Sequence, residues 1–265
     1  MDSQRWKDKM GKIIQLERSV IPACDVNLNE FEEIVKETSN IEKIGGYKIG
    51  PALTGRPGYD EVVKVARRHT NKPLIFDAQK WGTDIPDTAE KILRPVKESG
   101  IDAVILFPQS GPATEYAWIK AAQDLELGVI VGGEMTHPRY LEGDDSEGKN
   151  INYSEIFHEL ELSRGATGFI RKGAPGEMYQ IAALMGVNNF VVPGNKQKSI
   201  ERYKRIIRGC GVNEDTYWSP GLVAQGGEIS EGAEAAGERF HAIIGRGIYK
   251  AENKRKAAIE LTSQI

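Results

Sequence analysis

The chain has 265 residues, 40% of them hydrophobic and 28% charged, so it can bury a core as one large α/β domain or two small ones. A net charge of −3 argues against a broad electrostatic grip on nucleic acid, and no apolar run nears the roughly 18 residues of a membrane span. The opening MDSQRWKDKMGKIIQLERSV lacks an apolar signal core, Cys24 and Cys210 form no C-x-x-C, and the four histidines follow no metal-binding spacing, so the expectation is a cytoplasmic protein without a metal centre.

Short apolar, β-branched runs alternate with amphipathic stretches along the whole chain. Val20–Asp25 precedes a helical pattern at 31–38, and Tyr47–Gly50 precedes one at 59–69. Leu74–Asp77 is followed by 88–99, Ala103–Phe107 by 114–125, and Gly128–Gly132 by two helical patches at 153–164 and 176–186. Phe190–Val192 leads into 198–209, Thr216–Ser219 into 229–240, and Ala242–Ile244 into 252–263. Eight strand candidates, each followed by a helix, are the pattern of a (β/α)8 TIM barrel spanning residues 1–265 as a single domain. A doubly wound open sheet is the competing architecture, but the first strand runs into CDVNLN rather than a glycine-rich dinucleotide fingerprint. The segment 139–175 reads as an insertion, and EGDDSEGKN at 142–150 within it as a polar surface loop.

In such a barrel the chemistry belongs at the C-terminal ends of the strands. One polar residue there is ordinarily a solvated loop residue, but here nearly every strand end carries one: Asp25, Lys48, Asp77, Thr136 and the last two loops. The seventh loop is SPGLVAQGG, with Gln225, Gly226 and Gly227, and the eighth opens with Gly245 and Arg246. Glycines let backbone N–H groups approach an anion, arginine offers a planar fork of donors, and barrels often hold phosphate at these two loops. After the third strand, Asp77 and Asp84 bracket Lys80, an arrangement that keeps the lysine charged and able to deliver a proton, or that forms an ordinary surface ion-pair cluster.

Together, Asp25, Lys48, the stretch DAQKWGTDIPDT, EMTHP, SPGLVAQGG and IIGRGIY resemble the orotidine 5′-monophosphate decarboxylase family over residues 20 to about 254. The resemblance implies a barrel, usually dimeric with active sites at the dimer interface, that converts orotidine monophosphate to uridine monophosphate without metal or cofactor. By motif, Asp25 would hydrogen-bond the ribose and Lys48 would join the charged network. Lys80 would protonate C6 of the pyrimidine, and Asp84 and Thr88 would reach the neighbouring subunit's site. Thr136 would recognise the base, Gln225 with Gly226 and Gly227 would close over the phosphate, and Gly245 and Arg246 would hold it.

The family motif D-x-K-x-x-D is stretched here to D-x-x-K-x-x-x-D, from Asp77 through Lys80 to Asp84. Residues three apart in a regular strand face opposite sides, so either a bulge near Ala78–Gln79 turns Asp77 and Lys80 to one pocket, with Thr83 looped out, or Ala78 faces inward and Asp77 outward. Two other functions compete with decarboxylation: a lyase or aldolase acting on sugar phosphates, and a nucleotide-phosphate binder without turnover.

Overall fold

The computed structural model describes residues 12–78, 84–146, 152–159, 167–223 and 228–265. Eight parallel strands close on themselves in sequence order: β1 (Arg18–Cys24), β2 (Tyr47–Ile49), β3 (Leu74–Asp77), β4 (Ala103–Leu106), β5 (Gly128–Gly132), β6 (Asn189–Val191), β7 (Thr216–Ser219) and β8 (Phe240–Ile244), with β8 paired back to β1. The expected TIM barrel is therefore the observed one, and the open sheet is excluded.

The outer layer is built from α1 (Leu28–Thr38), α2 (Pro51–Thr54), α3 (Tyr59–Arg67), α4 (Ala89–Glu98), α5 (Pro112–Asp124), α6 (Tyr153–Glu159), α7 (Ala174–Leu184), α8 (Gln197–Gly209), α9 (Ile229–Ala236), α10 (Arg246–Tyr249) and α11 (Lys254–Thr262). The helical pattern read at 229–240 overshoots. Gly237, at φ 103°, stops α9, and Phe240 already begins β8. Of the patch at 153–164, α6 covers 153–159, and the rest lies outside the described residues. From the insertion, a β-bridge ties Leu141 to Ile170, and Glu142 N donates to Ile170 O at 2.7 Å.

Each strand is buried on both faces, which is why the runs read as continuous apolar stretches rather than alternating ones. One set of side chains, including Val20, Cys24, Ile49, Phe76 and Val104, packs against the helices. The alternate set, including Ile21, Ile75, Ile105, Ile130, Trp218 and Ile243, fills the barrel. Fully burying each such side chain contributes about 1.5–3 kcal/mol. The Phe107 ring lies over β5, where a Cβ on Gly132 would collide with it, so glycine there is a packing requirement.

Deep in the barrel His241 shares a 2.8 Å hydrogen bond with Ser19 Oγ and packs on the Trp218 ring at 4.5 Å. Trp218 Nε1 in turn donates to Asn189 Oδ1 at 3.0 Å. Burial pushes the His241 imidazole down to about 3 from its ordinary 6.5, so the folded chain holds it neutral. A depressed folded value means this stability is complete above 6.5 and is lost as pH falls toward 3, because the unfolded chain takes up the proton first. Urea midpoints measured near neutrality and about two pH units lower should therefore drop further for the parent than for His241→Phe. Equal drops would contradict the assignment.

Candidate active site

The C-terminal mouth of the barrel opens into a cavity of about 230 Å³, lined among others by Asp25, Lys48, Asp77, Thr136, Gly245 and Arg246. Six of the twelve residues singled out from the sequence thus meet in one place.

Strand register explains how. Lys48 is level with Ala23 on one side and Ile75 on the other. Asp25 and Asp77 stand two residues further along their chains, about 6.6 Å higher by strand rise. An extended lysine side chain spans that height, so the Lys48 ammonium rises between two carboxylates. It donates to Asp77 Oδ2 at 2.6 Å and lies 3.6 Å from Asp25 Oδ2. Asp25 is held at the rim because β1 ends at Cys24 and α1 is capped almost at once. Asn27 Oδ1 accepts from Glu30 N at 3.0 Å, and Glu30 Oε2 accepts from Asn27 N at 3.2 Å.

Lys48 and Asp77 are 8% and 1% exposed, so this pair is taken out of water. Burial by itself would lower the Lys48 pKa. Asp77 and then Asp25 outweigh it and hold the ammonium above its ordinary value. The group is a fixed cation at neutral pH, suited to electrostatic work rather than proton transfer.

The structure decides the orientation of Asp77. Ile75 and Asp77 share the interior face, while Ala78 packs with Phe76 in the outer apolar layer. The alternative with Ala78 inward and Asp77 outward is overturned. Because β3 ends at Asp77, strand alternation does not govern the residues beyond it. Lys80, the bulge expected at Ala78–Gln79 and the looped-out Thr83 fall at or beyond the edge of the described residues, as do Gln225, Gly226 and Gly227.

Asp84 and Thr88 are not brought to this cavity by their own chain. Asp84 Oδ1 accepts from Ile85 N at 2.7 Å, and Thr88 Oγ1 donates to Ile85 O at 2.8 Å, both on the exposed turn before α4. Gly221, at φ 87°, turns the chain after β7, and Pro220, Gly221 and Leu222 line the cavity beside Gly245 and Arg246, since β7 pairs with β8.

Sequence reasoning missed Glu134. It is 4% exposed, lines the cavity beside Met135 and Thr136, and accepts from Lys196 Nζ at 2.9 Å and Tyr203 OH at 2.5 Å. The only signal was its place two residues past the end of β5, where a glutamate is ordinarily solvated, and its partner lies 62 residues away.

A family model described as "Orotidine 5'-phosphate decarboxylase / HUMPS family" matches residues 18–261. The chain belongs to this family. Among its relatives, the orotidine 5′-phosphate decarboxylase of Methanosarcina mazei is 28% identical over 251 residues, 94% of this chain and 97% of the relative. That of Methanococcus maripaludis strain S2 is 30% identical over 232 residues, 88% of this chain and 89% of the relative. The solved orotidine 5′-monophosphate decarboxylase from Methanocaldococcus jannaschii, complexed with inhibitor BMP, superposes with a TM-score of 0.71 at 22% identity, covering 93% of this chain and 98% of that one. At that identity the superposition speaks for the fold.

The buried pair in this family member makes a direct test of the geometry. Asp77→Ala leaves the Lys48 charge without its nearest partner and should destabilise the fold by about 3–5 kcal/mol. The double variant Lys48→Met/Asp77→Ala should recover much of that loss. Urea denaturation of the two variants checks the order, and a double variant less stable than Asp77→Ala would contradict it.

Proposed function

We propose that the chain decarboxylates orotidine 5′-monophosphate to uridine 5′-monophosphate, a step of pyrimidine biosynthesis, as a carboxy-lyase acting without metal or cofactor. The observation that carries this reading is the Asp25–Lys48–Asp77 array fixed in the wall of a cavity that Gly245 and Arg246 also line. Membership of a family whose curated relatives carry that activity supports it.

In this reading the substrate phosphate lies against Gly245 and the Arg246 guanidinium, under Gln225, Gly226 and Gly227. Asp25 accepts from the ribose, and Thr136 meets the pyrimidine. The substrate carboxylate is placed near Asp77. The bond from C6 to that carboxylate breaks, carbon dioxide leaves, and the electron pair stays on C6. The Lys80 ammonium then gives C6 its proton and regains one from water. Lys48 anchors Asp77, so that the field at C6 favours the carbanion over the carboxylate it replaces. Binding energy from the remote phosphate holds the substrate in that unfavourable field.

Asp84 and Thr88 belong to the site through a homodimer, in which the exposed turn that carries them reaches the partner's cavity. Beside that turn Ile85 and Tyr116 are exposed apolar side chains, a surface suited to a second copy. The whole chain serves as one barrel domain working in the cytoplasm. Among the described residues no helix is long and apolar enough to cross a membrane.

The decisive assay follows the loss of orotidine monophosphate absorbance in the ultraviolet, with and without EDTA. Turnover unaffected by EDTA is expected. Nucleotide binding without turnover would favour the binder, and turnover of sugar phosphates abolished by EDTA would favour the lyase or aldolase. Lys80→Ala should abolish turnover while leaving uridine monophosphate affinity within a few-fold. Arg246→Ala should weaken that affinity by about 1.5–3 kcal/mol, as for a hydrogen bond to a charged group. Unchanged nucleotide affinity in Arg246→Ala would remove the phosphate assignment. Sedimentation should find a dimer, and a fully active monomer would rule out the shared site.

A further inference from the structure

We infer that Asn195 and Lys196, on the turn between β6 and α8, are positioning residues that set the base-recognising loop after β5. The inference rests on the functional reading above and adds the part that selects the base.

Two adjacent residues grip three adjacent ones. Lys196 Nζ donates to Glu134 Oε1 at 2.9 Å and to Met135 O at 3.2 Å. Asn195 Nδ2 donates to Thr136 O at 3.2 Å. The second oxygen of Glu134 accepts from Tyr203 OH on α8, and that hydroxyl itself accepts from Arg202 at 2.6 Å. Both oxygens of the Glu134 carboxylate are therefore bonded to the β6 side of the barrel. Glu134 contributes wall to the cavity while its charge is spent on Lys196 and Tyr203.

The turn that does the gripping is itself held. Gly194 N donates to Pro220 O at 2.9 Å, and Lys196 N to Pro193 O at 3.0 Å. A Cβ on Gly194 would come within 2.8 Å of both Pro220 O and Leu222, so the turn is pressed against the loop after β7. The anchor is thus fixed to a neighbouring strand end, and the loop bearing Thr136 is fixed to the anchor. None of these contacts involves Asp25, Lys48, Gly245 or Arg246. The clamp governs where Thr136 stands, and its one tie to the loop after β7 runs through Gly194, which changes at Glu134 and Lys196 leave in place.

This separation gives the test. Affinities for uridine monophosphate and ribose 5-phosphate are measured by calorimetry on the full chain, alongside KM and kcat for orotidine monophosphate. The parent should bind the nucleotide more tightly than the sugar phosphate. Lys196→Met strips the nearer cation from a buried glutamate, leaving it Arg202 at 4.0 Å, and is liable to unfold. Glu134→Gln/Lys196→Met removes both charges, keeps the Tyr203 contact and carries the test if the single variant is lost.

In the double variant nucleotide affinity should fall about tenfold, the size of one hydrogen-bonded contact, while ribose 5-phosphate affinity stays within twofold. KM for orotidine monophosphate should rise by a larger factor than kcat falls. Lys196→Arg, which preserves the charge and the donors, should retain the parent's preference. Equal losses for both ligands, or an unchanged preference, overturn the clamp while leaving turnover by the parent to stand. A parent that binds both ligands alike and turns nothing over overturns the function and the clamp together.

Discussion

Everything at the mouth of this barrel is arranged around one cation that is shielded from water. The Lys48 ammonium costs several kcal/mol to bury and is tolerated because Asp77 touches it and Asp25 stands nearby. Removing Lys48 or Asp77 leaves an uncompensated charge in the interior, so that pair is held rigid by electrostatic necessity. A rigid array of charges is what a reaction passing through a carbanion can use, since no reorganisation is needed as charge develops. The same pairing that stabilises Lys48 also prevents Asp77 from relaxing away from an approaching carboxylate.

That rigidity depends on the barrel as a whole. Parallel register lets Lys48, one layer below, reach carboxylates on both neighbouring strands. Lower in the interior the Trp218, His241, Ser19 and Asn189 side chains satisfy one another, which allows polar groups to coexist with a packed core. The strand ends are fixed from outside by devices of different kinds: the Asn27–Glu30 box behind Asp25, Gly132 yielding space to Phe107, and the Asn195–Lys196 turn behind Thr136.

The strands were legible in the order of residues because parallel strands buried on both faces leave continuous apolar runs. Asp25, Lys48, Asp77, Thr136, Gly245 and Arg246 line the cavity for a related reason: a barrel's chemistry is confined to known strand ends. What failed to show was orientation. Whether Asp77 or Ala78 faced inward turned on the register of β3, which sets Asp77 on the interior face with Ile75 and Ala78 in the outer layer with Phe76. The end of α9 was misjudged because Glu238 and Arg239 continue an amphipathic pattern that Gly237 has already broken. Glu134 was overlooked because its partners Lys196 and Tyr203 come from a distant segment, a pairing that only tertiary structure reveals.

Barrel order also dictates how an extended substrate would lie in the proposed reaction. Arg246 and Gly245 come after β8, Asp25 after β1, Lys48 is on β2 and Asp77 ends β3. These four strands are consecutive around the wall, so phosphate, sugar and reacting carbon can each be served in turn by moving one strand at a time. Thr136 comes after β5, on the far side of the cavity, where the proposed reaction would have it meet the outer edge of the base. A ligand held at both ends in this way has its middle pressed against the β2–β3 wall, where the buried charges are. Loosening the β5 end would leave the phosphate bound and let the reacting carbon swing off that wall. The position of a neutral threonine backbone therefore bears on chemistry that the threonine does not perform.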